Sequence, residues 1–264
     1  MNRKGVGVPE LKALLFDVDG TLADTERDGH RLAFNRAFAD AGLDWDWSVE
    51  RYGALLWVTG GKERIRYYLD TMRPDFKRPA RLDEFVAGLH KAKTQHYNRL
   101  LDDGGIPFRP GVRRLLGEAR EAGLRLAIAT TTSPENVTTL LNSNLGDDAE
   151  HWFEIIAAGD IVPAKKPAPD IYRYVLTQMR LRAKACIAFE DSENGARASC
   201  GANLLTVITT NDYTATQDFN GAALVLDQLG EPDKPFKVLR GSIGQHHYIS
   251  VTALNELFQR NLPS

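Results

Sequence analysis

Cysteine is scarce in this chain, with two among 264 residues. Cys186 lies in an apolar, strand-like run and Cys200 stands just before a glycine. They read as reduced thiols in or near a core rather than as a disulfide framework. Neither sign of charge is in excess: 33 Lys and Arg face 35 Asp and Glu, for a formal net charge of -2. No overall field favours nucleic acid or an anionic membrane, so an anion site has to be a local basic patch. No run of about 18 apolar residues occurs, and no membrane span is expected. Met1 to Glu10 lacks the apolar stretch of a secretory signal. Internal repeats and low-complexity segments are also missing. The expected setting is a reducing compartment, the cytoplasm, with neither nucleic acid nor membrane as partner.

What is present is ordinary for a globular chain: 43% hydrophobic and 26% charged residues. The length suits one large domain, or a core with a smaller cap. Residues 11–16 form a short apolar run that ends at Asp17, and its length favours a buried strand. Phe34, Ala37, Phe38 and Ala41 then fall at i, i+3, i+4 and i+7, with Gly42 as a stop. Phe85, Leu89, Ala92 and His96 mark a second helical face. No convincing strand appears between about 27 and 108. At Pro110-Gly111 the pattern changes. Val112, Leu115, Leu116 and Ala119 make an amphipathic helix that Gly123 closes. Strands are predicted over 124–129, 153–158, 185–189 and 204–208, with a short one at 224–226. Ser133-Pro134 reads as an N-cap followed by proline at the first helical position, and 194–200 as helical. Alternating strands and helices predict an α/β fold, a Rossmann-like parallel sheet with helices on both faces. Residues 1–26 and 109–230 are assigned to this core, 27–108 to an inserted helical unit, and 231–264 to an extension packed on the core.

Ligands of an open parallel sheet bind beyond the carboxyl ends of its strands. Three such ends carry Asp17-Val18-Asp19, Thr130-Thr131-Thr132 and Glu190-Asp191, and Lys165-Lys166-Pro167 follows the fourth. Asp17, Asp19, Glu190 and Asp191 put four carboxylates in one crevice. Two unit charges about 4 Å apart interact by roughly 4 kcal/mol at an effective dielectric of 20, so the cluster must hold a cation or carry raised pKa values. Hard oxygen ligands suit Mg2+ bridging to a phosphate, and no His or Cys cluster competes for a softer metal. A carboxylate nucleophile, Asp17, divides phosphate-ester hydrolysis into two steps. Asp19, two residues on, can protonate the leaving oxygen and then deprotonate water. Lys166 and Thr130 offer charge and a hydrogen bond to the phosphoryl oxygens.

Asp17-Val18-Asp19-Gly20-Thr21-Leu22 resembles the first motif of the haloacid-dehalogenase-like phosphatases. Thr130, Lys166 and Glu190-Asp191 are similar to the second, third and fourth, in order, over about residues 11 to 210. The helical block resembles the C1 cap of that family. Thr25-Glu26, residues 59–64, His90-Lys91-Ala92-Lys93 and residues 130–136 resemble the CbbY-type members, which act on xylulose-1,5-bisphosphate, an inhibitory dead-end product in carbon fixation. The resemblance implies Asp17 as nucleophile and ligand, Asp19 as acid/base with its carbonyl on Mg2+, Asp191 as a ligand and Glu190 near or on the metal. It further implies substrate contacts from Glu26, Gly60, Gly61, Lys62, Arg64, His90, Lys93, Thr130, Thr131, Thr132, Ser133, Asn136 and Lys166. The spacing from Glu26 to His30 is one residue longer than in shorter relatives, and His30 receives no role.

The expected activity is therefore Mg2+-dependent hydrolysis of a small phosphosugar by a monomer. A phosphosugar mutase resembling β-phosphoglucomutase shares the same motifs, and a non-catalytic phosphosugar-binding protein is the third reading. Trp45, Trp47 and Trp57 are expected in the cap core. His246-His247 is expected at the surface, because adjacent residues share no face in a regular element.

Overall fold

The computed structural model describes residues 10–58 and 60–262. Thr59, part of the 59–64 segment, and residues 1–9 lie outside them. The chain forms two compact units, one of residues 24–107 and one made of the segments on either side.

In the flanking unit, β1 (Ala13–Phe16) is wholly apolar and wholly buried. The inserted unit starts with a π-helix, Thr25–His30, which runs directly into α1 (Arg31–Asp40). α2 (Val49–Leu55), α3 (Gly61–Thr71) and α4 (Leu82–Asp102) follow. Gly42, at φ +69°, lies just past the end of α1, in the left-handed region that only glycine enters at no cost. Phe34 and Phe38 on α1 meet Trp47 at ring-centroid distances of 4.8 and 4.9 Å, and Trp45, Tyr52 and Tyr68 complete an aromatic core. Trp57 does not join it. The turn after α2 leaves it 68% exposed, with an edge-to-face contact on Tyr67.

After residue 107 the chain returns to the first unit. α5 (Val112–Glu121), β2 (Arg125–Ala129), α6 (Pro134–Leu145), β3 (Ile155–Ala157), α7 (Asp170–Met179), β4 (Cys186–Glu190), α8 (Glu193–Gly201), β5 (Leu205–Thr209) and β6 (Leu224–Leu226) alternate as the pattern predicts. α7 was not anticipated from the sequence. Its buried residues, Ile171, Tyr172, Val175, Leu176 and Met179, form a two-residue-wide helical stripe. β7 (Val238–Gly241) and α9 (Val251–Arg260) complete the chain.

The sheet order is β3-β2-β1-β4-β5-β6-β7. All neighbours are parallel except β6 and β7. β1 lies between β2 and β4, with Phe16 opposite both Ile128 and Phe189, and the rings of Phe16 and Phe189 stack at 4.6 Å. This register brings the carboxyl ends of β1, β2 and β4 level with one another. The C-terminal residues are fastened to α5. Glu231 accepts from the Gly111 N–H and from Arg114 Nε, and Arg114 also donates to the Ile249 carbonyl. α9 buries Ala253, Leu254, Leu257 and Phe258. No helix among the described residues is long and apolar enough to cross a membrane.

Candidate active site

The level strand ends bring three of the singled-out residues, Asp17, Lys166 and Glu190, into direct contact. Lys166 Nζ lies 2.6 Å from Asp17 Oδ1 and 2.6 Å from Glu190 Oε1. Asp17 Oδ2 accepts from the Thr21 hydroxyl at 3.3 Å. The Thr132 hydroxyl donates to Asp19 Oδ2. Asp191 Oδ2 accepts from Asn211 Nδ2 at 2.7 Å. Asp17, Glu190 and Asp191 each offer an oxygen, and these three atoms lie within 4.8 Å of one another.

Two glycines make room for the carboxylates. A Cβ on Gly20 would fall 2.2 Å from Asp191 Oδ2, and one on Gly195 would fall 1.8 Å from Glu190 Oε2. Gly20 also has φ +82°, which the turn after Asp19 requires. Arg109 braces that turn from below. Its guanidinium donates to the carbonyls of Gly20, Thr209, Thr210 and Asp227.

Burial and like charge set the electrostatics. Burial, reinforced by Asp17 and Glu190, pushes Asp191 well above the ordinary carboxylate range. Burial likewise lifts Glu190 to about 7, with Asp17 adding to the shift and Lys166 opposing it. Burial alone would lower Lys166, but Asp17 and Glu190 more than reverse this and its pKa rises. Burial and then Glu190 hold the Tyr172 phenol protonated, well above its ordinary value. Its hydroxyl donates to Glu190 Oε1.

One lysine is too little positive charge to keep all three buried carboxylates ionised, which is why Glu190 and Asp191 hold their protons so firmly, and among the described residues the buried Glu190 Oε2 has no hydrogen-bond partner. An all-oxygen set of this kind fits a hard divalent cation such as Mg2+. The Asp19 side chain is outside the set and is engaged by Thr132.

On β2 and the loop after it, Thr130 is buried, and its Oγ1 accepts from the Thr132 N–H. Thr131 is exposed. Ser133 caps α6 by accepting from the Asn136 N–H, as Ser-Pro at a helix start predicts.

Within the inserted unit, Tyr52 OH donates to Glu26 Oε2 at 2.6 Å and accepts from Arg64 Nη1 at 2.8 Å. Arg64 is buried and also donates to the carbonyls of Leu55 and Val58. Lys93 Nζ lies 2.8 Å from His30 Nδ1. Burial, then Lys93, Arg64 and His90, depress His30 well below its ordinary value, and burial, then Lys93 and Lys62, depress His90. Lys62, Arg64 and Lys93 thus form one cationic neighbourhood, in which His30 and His90 are held toward their neutral forms. The π-helix explains how His30 enters it. A π-turn takes one residue more than an α-turn, so a longer Glu26-to-His30 spacing is absorbed locally. A Cβ on Gly61 would sit 2.6 Å from the His90 ring, so glycine there lets α3 and α4 meet closely. Gly60, at φ +94°, precedes α3.

Tyr172, Asn211, Arg109 and Gly195 escaped the sequence reading. Asn211 carried a usable signal, because it follows the end of β5 and strand ends are where ligands gather. Tyr172 and Gly195 carried none that separates them from packing residues.

A family model described as haloacid dehalogenase-like hydrolase matches residues 11–203. The plasmid-borne CbbY protein of Cupriavidus necator is 48% identical over 225 residues, covering 85% of this chain and 88% of that one. CbbY of Cereibacter sphaeroides is 47% identical, over 84% of this chain and 94% of that one. A crystal structure of variant CbbY from Rhodobacter sphaeroides in complex with xylulose-1,5-bisphosphate has a TM-score of 0.69 at 46% identity, covering 83% of this chain and 94% of that one. Motif order, strand-end geometry and these likenesses agree, and the chain belongs to the haloacid dehalogenase-like hydrolases as a phosphatase of the CbbY type.

Proposed function

We propose that the enzyme hydrolyses a phosphate ester of a small sugar bisphosphate, xylulose-1,5-bisphosphate, through a phosphorylated Asp17, with Mg2+ as cofactor. The observation that carries this reading is Lys166 held between Asp17 and Glu190 beside the three-carboxylate cluster. The bisphosphate bound to a CbbY relative supports the substrate. The reading takes the enzyme as a cytoplasmic monomer.

An Asp17 carboxylate oxygen attacks phosphorus, and the bond from phosphorus to the sugar oxygen breaks. Asp19, protonated at this stage, gives its proton to the departing oxygen. The same carboxylate then takes a proton from water, which attacks phosphorus and releases inorganic phosphate, returning Asp17 to its free form. Thr132 orients Asp19 for both transfers. Lys166 holds Asp17 in place and offsets charge on the phosphoryl oxygens, with Thr130 as a further donor. Asp17, Glu190, Asp191 and the Asp19 carbonyl would hold Mg2+, which supplies the remaining positive charge to the phosphoryl group.

In the inserted unit, Lys62, His90 and Lys93 serve the second phosphate, and Glu26, Gly60 and Gly61 the sugar. Arg64 acts from beneath by fixing Tyr52 and Glu26. Phosphate release with Mg2+ is the test, on a panel of xylulose-1,5-bisphosphate, ribulose-1,5-bisphosphate and β-glucose-1-phosphate. Preferred hydrolysis of the first is expected. Conversion of β-glucose-1-phosphate to glucose-6-phosphate without free phosphate refutes the reading in favour of a mutase.

A further inference from the structure

We propose that Tyr172 is a positioning residue for Glu190, its phenol hydroxyl locking the carboxylate so that one oxygen is kept for the cation. Two donors converge on a single oxygen of Glu190. Lys166 Nζ reaches Oε1 at 2.6 Å, and the Tyr172 hydroxyl donates to the same atom. Oε2 is buried and, among the described residues, has no hydrogen-bond partner. A carboxylate with free choice would share its donors between both oxygens, so this asymmetry is imposed by its surroundings.

Three features impose it. Gly195 lets Oε2 lie where a Cβ would come within 1.8 Å, which fixes one side. Tyr172 is fully buried on α7 and holds the other side through Oε1. The Lys166 ammonium sits 5.3 Å from the centre of the Tyr172 ring, so one side chain fixes both the lysine and the carboxylate that the lysine pairs with. Lys166 alone is an insufficient lock, because it also serves Asp17 at 2.6 Å and its partner changes charge state when phosphoryl is transferred. Tyr172 is outside the transfer chemistry and keeps Glu190 fixed throughout. Outer partners of metal-binding carboxylates typically matter to cation affinity by about 10–100-fold.

Tyr172 has this role only if Glu190 faces a cation, as proposed above. Tyr172→Phe removes the hydroxyl and keeps the ring beneath Lys166. Thermal-shift titration with MgCl2, without substrate, reads cation affinity, and phosphate release at several Mg2+ concentrations reads the catalytic consequence. Apparent Mg2+ affinity is expected to fall about 10–100-fold. At saturating Mg2+, kcat should recover toward wild type, and KM should stay within about twofold. In a Glu190→Gln background the same change is expected to add nothing, because the hydroxyl acts through that carboxylate. Loss of thermal stability with unchanged Mg2+ affinity makes the residue purely structural and overturns the proposal, as does an additive effect in the double variant. A wild-type protein that shows no Mg2+ response removes the cation reading itself, whereas equal responses in wild type and Tyr172→Phe sink the positioning role alone.

Discussion

Replacing Gly195 by alanine is expected to lower stability and activity together, the reverse of an ordinary helical Gly→Ala change. Gly195 lies in the first turn of α8, whose N-cap Ser192 accepts from its N–H. In a plain helix alanine would gain up to about 1 kcal/mol. Here the new Cβ would stand 1.8 Å from Glu190 Oε2 and 2.2 Å from its carboxyl carbon. Such an overlap has two outlets. Glu190 can swing away, but that breaks bonds to Lys166 and Tyr172 worth roughly 1.5–3 kcal/mol each when a charge is involved. Alternatively the start of α8 can move off the sheet, an overpacking cost of about 1–3 kcal/mol. The second outlet is the cheaper one. Set against the helix gain, it leaves a net loss of about 1 kcal/mol, or a fall in melting temperature of about 2–4 °C for a chain of this size. Glu190 and Asp191 sit just before α8 on the same segment, so activity should fall by about 10-fold or more. Thermal melts in EDTA and phosphate release in Mg2+ measure the two effects. A variant that melts at or above the wild-type temperature with undiminished turnover would show that the carboxylate is not wedged as described.

Asp17→Asn should reduce kcat on the order of 10^4-fold or more while the melt stays cooperative, and retained turnover excludes Asp17 as nucleophile. In EDTA, stability should fall as pH rises. The folded protein lifts Glu190 to about 7 from 4.5, so its contribution is complete below about pH 4.5 and gone above about pH 7. Saturating Mg2+ should flatten that slope in urea-denaturation midpoints. Lys93→Met should raise KM for a sugar bisphosphate about 10-fold and leave a monophosphate nearly unaffected, as steady-state kinetics on the pair will reveal. Ending the chain after Gly230 removes Glu231 and α9, and with them Leu254, Leu257 and Phe258 from the core. At about 1.5–3 kcal/mol for each such side chain, soluble yield should collapse, and a folded, active truncation would contradict this.

The core was legible because its chemistry is written at strand ends. Asp17, Thr130 and Glu190-Asp191 each follow a short apolar run, and a parallel sheet has one end where such residues can meet. Lys166 was legible by charge, since the carboxylates need a cation. Tyr172 was not, because its phenol meets Glu190 only through the packing of α7, a helix whose apolar stripe reads as plain core. His30 and Lys93 lie far apart in the chain, and the π-helix that brings the histidine round leaves no mark in composition. Trp57 failed for the opposite reason. Large aromatic residues usually bury, but the aromatic core was already filled by Trp45, Trp47 and Tyr68, and the turn after α2 carries Trp57 outward.

The central position of β1 bears on how the molecule is made. Synthesis delivers this strand first, yet both its neighbours, β2 and β4, are encoded beyond the inserted unit. A nascent chain therefore exposes the apolar Ala13–Phe16 segment until the whole helical insert and β2 have been made. Pairing between segments so distant in the chain is slow, and an unpaired apolar strand is prone to aggregate. Asp17 cannot meet Lys166 until most of the polypeptide has left the ribosome, so an incomplete translation product carries the first aspartate of the cluster without the partners that surround it.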